Sequence, residues 1–324
     1  MNIHTIILAA GKGTRMNTNL PKVMQPLGGQ TLISHVIKTA KSSSKDITIV
    51  VGHQKDLLKE HIADIDQNIQ TADQNEQLGT AHAVKTASHL IKDDEKVLVL
   101  YGDVPLIRGE TIEALISSGQ DCTLLSMKLN DPTGYGRIMT NEENLALRII
   151  EEKDASDEER QIQEVFTGIL LIDGSLLRPA LDEINNQNAA NEYYLTDLVE
   201  ILSTKGVKIN CIQANPTEVL GANNKHELHE LESILRNMSA EKLLEQGITL
   251  LDANRVDVRG EVEAGKDCSV DVNVIFEGKV ALGENVTIKS TVVLQDVSIG
   301  DNTIIESFSH LSSATVGSNC NIGP

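Results

Sequence analysis

Between Val258 and Ile322 the chain places an apolar residue at almost every sixth position. Val258, Ala264, Val270, Phe276, Leu282, Ile288 and Leu294 keep the interval, and Ile299, Ile305, Leu311, Val316 and Ile322 continue it with two steps shortened to five. Gly, Glu, Asp or Lys often follows the apolar position. Helices repeat near 3.6 residues and half-buried strands at two, so neither explains this period. A six-residue repeat sustained over such a length specifies a parallel β-helix, in which each apolar residue points into a prism and the next strand stacks upon it. The series stops inside a repeat at Ile322-Gly323-Pro324. Solenoids need a terminal cap and none is visible, so the expectation is a C-terminally truncated, incomplete solenoid.

The preceding part has a different grammar. Thr5-Ile6-Ile7-Leu8-Ala9, Ile47-Thr48-Ile49-Val50-Val51 and Val97-Leu98-Val99-Leu100-Tyr101 are continuous β-branched and apolar runs. Such runs suit strands covered on both faces. Helical stretches lie between them, as at Leu32 to Ala40 and Ala81 to Leu90. The alternation predicts an α/β fold, Rossmann-like, with a mostly parallel sheet. Leu228, Leu231, Ile234, Leu235 and Met238 then form one helical stripe, with Gly247 as a stop. The expected organisation is an α/β domain over 1–224, a linker helix over 225–250 and a partial left-handed β-helix over 251–324. At 324 residues the chain exceeds the usual single core, which agrees with more than one domain.

The 28 basic and 47 acidic residues leave a formal net charge of −19. That balance argues against nucleic acid as a partner, because binding a phosphate backbone needs a basic face. Small anionic substrates remain compatible if a divalent cation and a few placed Lys or Arg residues override the global field. Cys122, Cys211, Cys268 and Cys320 are far apart without CxxC spacing, which argues against a zinc site or disulfide framework. The apolar run Ile6 to Ala10 is too short for a signal segment, and no run approaches the length of a membrane span. A cytoplasmic protein without a membrane partner is the expectation.

Directly after the first strand comes Leu8-Ala9-Ala10-Gly11-Lys12-Gly13-Thr14-Arg15-Met16. Glycines let a backbone approach a polyphosphate, and a helix starting behind the loop would add its positive dipole end. A dinucleotide fingerprint requires a third glycine where Met16 stands, and a Walker A loop requires a Gly-Lys-Ser/Thr end that is absent. A plain tight turn stays open on the loop alone. Lys22 in Pro21-Lys22-Val23 adds a second cation, and Asp103 in Tyr101-Gly102-Asp103-Val104-Pro105 ends a buried strand. Open α/β sheets bind ligands at such strand ends, and a carboxylate there can hold Mg²⁺ beside phosphates. Alternatively Asp103 is a turn former, and Arg15 and Lys22 are solvated surface charges. His53, His82 and His89 lack ligand spacing and read as structural or surface residues.

Further motifs accompany these: Glu76-Gln77-Leu78-Gly79-Thr80-Ala81-His82-Ala83, Asp131-Pro132-Thr133-Gly134-Tyr135-Gly136-Arg137, Ile150-Glu151-Glu152-Lys153-Asp154-Ala155, Glu192-Tyr193-Tyr194-Leu195-Thr196-Asp197 and Gly221-Ala222-Asn223-Asn224. With the hexapeptide repeats, the set resembles the bacterial bifunctional N-acetylglucosamine-1-phosphate uridyltransferase/glucosamine-1-phosphate acetyltransferase family along the whole chain. The resemblance implies transfer of uridylyl from UTP to N-acetylglucosamine 1-phosphate, giving UDP-N-acetylglucosamine and pyrophosphate for cell-envelope precursors. It implies that Leu8, Ala9, Ala10 and Gly11 give backbone contacts to the nucleotide. Arg15 and Lys22 would hold the phosphates and the departing pyrophosphate. Gln74, Gly79 and Thr80 would read uracil. Tyr101 and Gly102 would line the site, Gly136 and Glu151 would contact the amino sugar, and Asp103 and Asn223 would ligate Mg²⁺. It also implies a homotrimer built through a complete β-helix.

Two departures stand out. The family usually carries Asn before the Thr-Gly of Phe166-Thr167-Gly168, and Phe166 offers no hydrogen bond, so it either stacks on the sugar or turns into the core. The family's acetyltransferase residues lie in later coils, so acetyl transfer is not expected of this polypeptide. Two other readings stay open: another sugar 1-phosphate as substrate, and a non-catalytic scaffold of the same fold.

Overall fold

The computed structural model describes residues 2–324, which divide into two compact units. Among the described residues the first comprises 2–25 and 32–224, the second 26–31 and 225–324.

The first unit is built on a nine-stranded sheet. Its strands are β1 (Ile3–Ala9), β2 (Asp46–Val51), β3 (Gln70–Asp73), β4 (Lys96–Tyr101), β5 (Cys122–Lys128), β6 (Gly136–Thr140), β7 (Ala146–Ile150), β8 (Glu164–Asp173) and β9 (Ile209–Gln213). The order is β9-β5-β8-β4-β1-β2-β3, with β6 pairing β8 and β7 pairing β6. The block β4-β1-β2-β3 is parallel throughout. β8 runs antiparallel to β4, β5 and β6, so the parallel pattern stops there. The helices are α1 (Leu32–Ser43), α2 (Lys55–Ile65), α3 (Thr80–Ala87), α4 (Gly109–Ser117), α5 (Gly174–Glu183) and α6 (Asp197–Thr204).

Both faces of the parallel block are covered, which is why its strands read as unbroken apolar runs. Ile6, Leu8, Val97 and Val99 enter one core, and Ile3, Ile7, Ala9, Leu98 and Leu100 enter the other. The chain leaves β1 for β2 and β3, then returns to β4 on the opposite side of β1. The carboxyl ends of β1 and β4 therefore flank a topological switch point, the place where open α/β sheets bind ligands.

The second unit carries α7 (Lys225–Glu245), which ends before Gly247 at φ +87°. Ile248 N–H donates to Leu243 O, a Schellman-type closure that only a left-handed residue permits without strain. Thr249–Leu250 is already a strand paired with Ser269–Val270, so the solenoid begins inside the segment expected to be linker. The hairpin Pro26–Leu27/Gln30–Thr31, expected in the first domain, belongs to the second unit. Gly28 and Gly29 turn it with φ of +54° and +79°, and Gly28 N–H donates to Glu232 of α7 at 3.0 Å.

The solenoid is a partial left-handed parallel β-helix. Val256 pairs with Val274, a coil of eighteen residues, whereas Val280 pairs with Val297, a coil of seventeen. The shortened repeat seen in the sequence is that register change. Each repeat has two inward positions rather than one. Val256, Cys268, Val274, Val280, Val286, Val292 and Val297, two residues before the apolar positions of the repeat, are also buried. Thr303 and Ser309 occupy the same inward row and satisfy their hydroxyls on Gly317 O and Glu306 O. Left-handed residues recur at the corners, among them Asp267, Asn273, Asn285, Asn302 and Asn319, residue types whose short polar side chains tolerate positive φ. No helix among the described residues is long and apolar enough to cross a membrane.

Candidate active site

Every site residue expected from the sequence lies in the first unit. Leu8 to Gly11 leave β1 at the switch point, with Gly102 N–H donating to Leu8 O at 3.0 Å and tying the ends of β1 and β4 together. The loop then turns through Gly13 at φ +58°, where a Cβ would stand 2.6 Å from the Cβ of Lys22. Behind it lies a single 3-10 turn, Thr14–Met16, and not an α-helix. The expected helix-dipole contribution to phosphate binding is therefore absent at this loop. What the loop can offer an anion is its backbone N–H groups and neighbouring cations. Met16 is fully buried and anchors the turn, which explains why that position holds an apolar side chain.

Lys22 and Asp103 form an ion pair, and Lys22 Nζ also donates to Asn223 Oδ1 at 2.8 Å. Arg15 Nη2 donates to the same oxygen at 3.2 Å. Four residues from remote positions thus converge on one cationic cluster. Ala222 N–H on Asp103 O at 3.2 Å fixes the segment carrying Asn223 against the end of β4. Among the described residues no group of three or more His, Cys, Asp or Glu could hold a metal. A metal here would draw on one carboxylate, one amide oxygen and ligand oxygens, a hard donor set suited to Mg²⁺ and unsuited to zinc. Asp103 Oδ2 and Asn223 Oδ1 already share a single cation, Lys22 Nζ, so the pair fits such an ion.

A second cluster forms around Gln74, which is only 3% exposed. Its Nε2 lies 3.1 Å from Gly79 O and 3.0 Å from His82 Nδ1. A carbonyl only accepts, which sets the amide orientation. With one N–H on Gly79, the other falls to His82, whose Nδ1 must then be the unprotonated nitrogen. Both amide protons are used, and Oε1 is what Gln74 can offer a ligand. Gly79, at φ +120°, sits so close to the backbone of Tyr193 that a Cβ there would collide. Thr80 Oγ1 accepts from Leu195 N–H at 3.0 Å.

A third group surrounds Glu151. Its Oε1 accepts from Thr196 Oγ1 at 2.9 Å, and burial pushes its carboxyl above the usual range. Gly136 lies beside it, where a Cβ would meet Ile149 at 2.8 Å. Tyr101 packs on Gly168, whose φ of +89° and missing Cβ leave room for the ring. Burial, with the charges of Glu151 and Asp103, raises the Tyr101 phenol, so it stays a neutral donor.

Phe166 departs from the expected binding set. It is 6% exposed and packs in the core with Leu8, Ile138 and Ile149, while its backbone pairs with Gly136. Of the two fates open to it, the ring has turned into the core. Other motif residues have structural tasks. Arg137, 1% exposed, pairs with Glu152 at 2.5 Å, and Glu152 accepts from Gly134 N–H at 3.1 Å. This pair holds the turn that delivers Gly136.

The profile described as a MobA-like NTP transferase domain matches residues 5–163. The chain is 43% identical to the bifunctional protein GlmU of Marinobacter nauticus, over 99% of this chain and 71% of that protein. It is likewise 43% identical to the bifunctional protein GlmU of Idiomarina loihiensis, over 100% and 72%. The chain belongs to the GlmU family. A crystal structure of UDP-glucose pyrophosphorylase complexed with UDP-glucose superposes with a TM-score of 0.57 at 18% identity, over 74% of this chain and all of that one, which shows a common fold. The expectation of a sugar-1-phosphate uridylyltransferase is thus met at the level of the family. His82, read from the sequence as structural or surface, supports Gln74, and Thr196 is a residue to which sequence reasoning gave no role. His82 lies in the first turn of α3, two residues after Thr80, where side chains point back toward the helix start. That spacing was the available signal for His82. Thr196 had none, because its partner Glu151 is 45 residues away.

Proposed function

We propose that this chain transfers uridylyl from UTP to N-acetylglucosamine 1-phosphate, with Mg²⁺ held by Asp103 and Asn223. The observation that carries the reading is the convergence of Lys22, Asp103, Asn223 and Arg15 beside the switch-point loop. A phosphate oxygen of the sugar phosphate attacks the α-phosphorus of UTP, and pyrophosphate departs in line. The attacking oxygen is already anionic, so no residue needs to remove a proton. The task left to the protein is to align the two phosphates and offset their charge. When bound, Mg²⁺ supplies Lewis-acid charge neutralisation at the reacting phosphates.

Leu8 to Gly11 bring backbone to the nucleotide, and Arg15 and Lys22 balance charge on the leaving pyrophosphate. Gln74 Oε1 accepts the imide N–H of uracil, an interaction that cytosine, with an acceptor at that position, cannot return. Gly79 and Thr80 close the base pocket. Tyr101 and Gly102 shape the floor. Glu151, held by Thr196, accepts hydrogen bonds from sugar hydroxyls, and Gly136 leaves room for the ring. We further assign the protein to the cytoplasm and, through stacked β-helices, to a homotrimer that sedimentation would test.

The deciding experiment mixes purified protein with UTP, N-acetylglucosamine 1-phosphate and Mg²⁺ and follows pyrophosphate release. Release dependent on all three is expected. Nucleotide binding without release would sink the catalytic reading, and faster turnover with glucose 1-phosphate would sink the sugar assignment.

A further inference from the structure

Lys22 Nζ sits on the same two oxygens that are assigned to the divalent cation, Asp103 Oδ2 and Asn223 Oδ1. We propose that Lys22 is a resident place-holder that competes with the metal, so that the nucleotide-free protein binds divalent cations weakly and the ion enters with UTP. The inference rests on the assignment of Asp103 and Asn223 as metal ligands.

The charge balance at the cluster supports it. Asp103 already faces Lys22, with Arg15 bonded to the same amide oxygen as Lys22. A divalent ion added there would meet both cations within a few ångströms, with the Asp103 charge already engaged by one of them. The side chains of Lys22 and Asp103 are each 16% exposed, so water screens this repulsion only in part. A triphosphate reverses the balance, because its oxygens can take Lys22 and Arg15 while supplying further ligands to the ion. Lys22 is built for such a transfer. Its Cβ lies against Gly13 of the phosphate loop, and its backbone is held in a 3-10 turn by Gln25 N–H on Lys22 O at 3.1 Å. The flexible four-carbon stem can then carry Nζ from the carboxylate to a phosphate without backbone movement. Metal and nucleotide are thereby coupled, each raising the affinity of the protein for the other.

The test titrates nucleotide-free protein with Mn²⁺ and reads bound ion from the loss of the free-ion paramagnetic resonance signal. Lys22→Met and Lys22→Ala should bind Mn²⁺ roughly tenfold tighter than wild type or better, because a like charge at contact distance is removed. Lys22→Arg, which keeps the charge, should stay as weak as wild type. Asp103→Asn added to Lys22→Met should abolish the gain. Unchanged or weaker Mn²⁺ binding in both neutral variants overturns the competition and leaves the ligand assignment standing if Asp103→Asn still lowers Mn²⁺ binding. Tighter binding that survives Asp103→Asn overturns the assignment of the metal to this pair, and the competition with it.

Discussion

Replacing His82 with Leu isolates the base-reading end of the site from its chemistry. In the folded protein His82 Nδ1 accepts one of the two amide protons of Gln74, and Gly79 O accepts the other. Gln74 is almost wholly buried, so loss of the histidine acceptor strands one of its N–H groups. Stranding a buried donor costs about 1–3 kcal/mol. The amide can hold its orientation and bear that penalty, or rotate away from Gly79 and misdirect Oε1. Both outcomes weaken the contact with the imide of uracil. At 1.4 kcal/mol per decade the expected effect is a roughly 5- to 150-fold rise in KM for UTP. The value of kcat at saturating UTP should stay close to wild type, because Lys22, Asp103 and Asn223 are untouched. The preference for UTP over CTP should shrink. Leucine has room, since His82 borders a cavity of about 350 Å³ whose lining includes Leu78, Leu181, Ile184 and Tyr193 along with Lys85 and Thr86. His82→Asn, which restores an acceptor, should recover part of the loss. Steady-state kinetics with both nucleotides is the assay. A folded His82→Leu protein with unchanged KM and unchanged base selectivity would refute the reasoning, as would a fall confined to kcat.

Asp103→Asn keeps the volume and removes the charge. Turnover should fall by about 10²-fold or more while UTP binding, followed by calorimetry, changes far less; wild-type activity would remove Asp103 from the site. Gly168→Ala forces a Cβ to 2.5 Å from the Tyr101 ring at a φ of +89°. Left-handed strain of about 1–2 kcal/mol and overpacking of about 1–3 kcal/mol should lower the melting temperature and raise KM for the sugar phosphate, and calorimetry and kinetics read these separately. Partial burial, with the charges of Glu151, Glu200 and Asp154, raises the Asp197 carboxyl from 3.8 to about 6. A raised acid stabilises the fold below its unfolded pKa, and that stability is lost as pH climbs from about 4 through 6. Asp197→Asn should therefore stabilise the protein by about 1–3 kcal/mol at pH 8 and hardly at all at pH 4, as measured by urea denaturation; equal effects at both pH values would refute this. Phe166→Asn exchanges a core ring for an unpaired amide, so unfolding free energy should fall by about 3–5 kcal/mol; a stable variant with tighter sugar binding would show that the side chain faces the substrate.

Much of the fold was readable because its periods are local. Ile6 and Ile7, neighbours in the chain, enter opposite cores, so a continuous apolar run was enough to mark a strand buried on both faces. The six-residue rhythm after Val258 was equally plain, even to its shortened steps. What it hid was the second inward row. Val274 and Val280 look like ordinary β-branched strand residues, and Thr303 and Ser309 break the apolar pattern because their hydroxyls bond to the chain itself. The hairpin at Gly28-Gly29 was illegible for another reason. It belongs to a unit whose next residue is 225, and nothing within six residues of chain can declare a partner so distant.

The same distinction divides the two ends of the site. The nucleotide end is made of short segments that each carry a strong local constraint: the glycine loop after β1, Lys22 shortly behind it, and Asp103 at the end of β4. Motif spacing therefore pointed at the same cluster that the folded chain brings together through Lys22. The sugar end is assembled across β6, β7 and the antiparallel β8, with Thr196 supplied by the approach to α6. Strand register decides which side chains face inward there, and a side chain cannot reveal its own register. Phe166 is the case in point. Its backbone is pinned opposite Gly136, next to Glu151, yet its ring goes to the core with Leu8 and Ile149. A polar residue at that position could serve the substrate, whereas a phenyl ring is drawn to apolar neighbours by about 25 cal/mol for each Å² it removes from water. On the proposed reading, polar recognition on this edge then falls to Glu151. Thr196, by holding one of its oxygens, becomes the residue that decides which way the remaining lone pairs point.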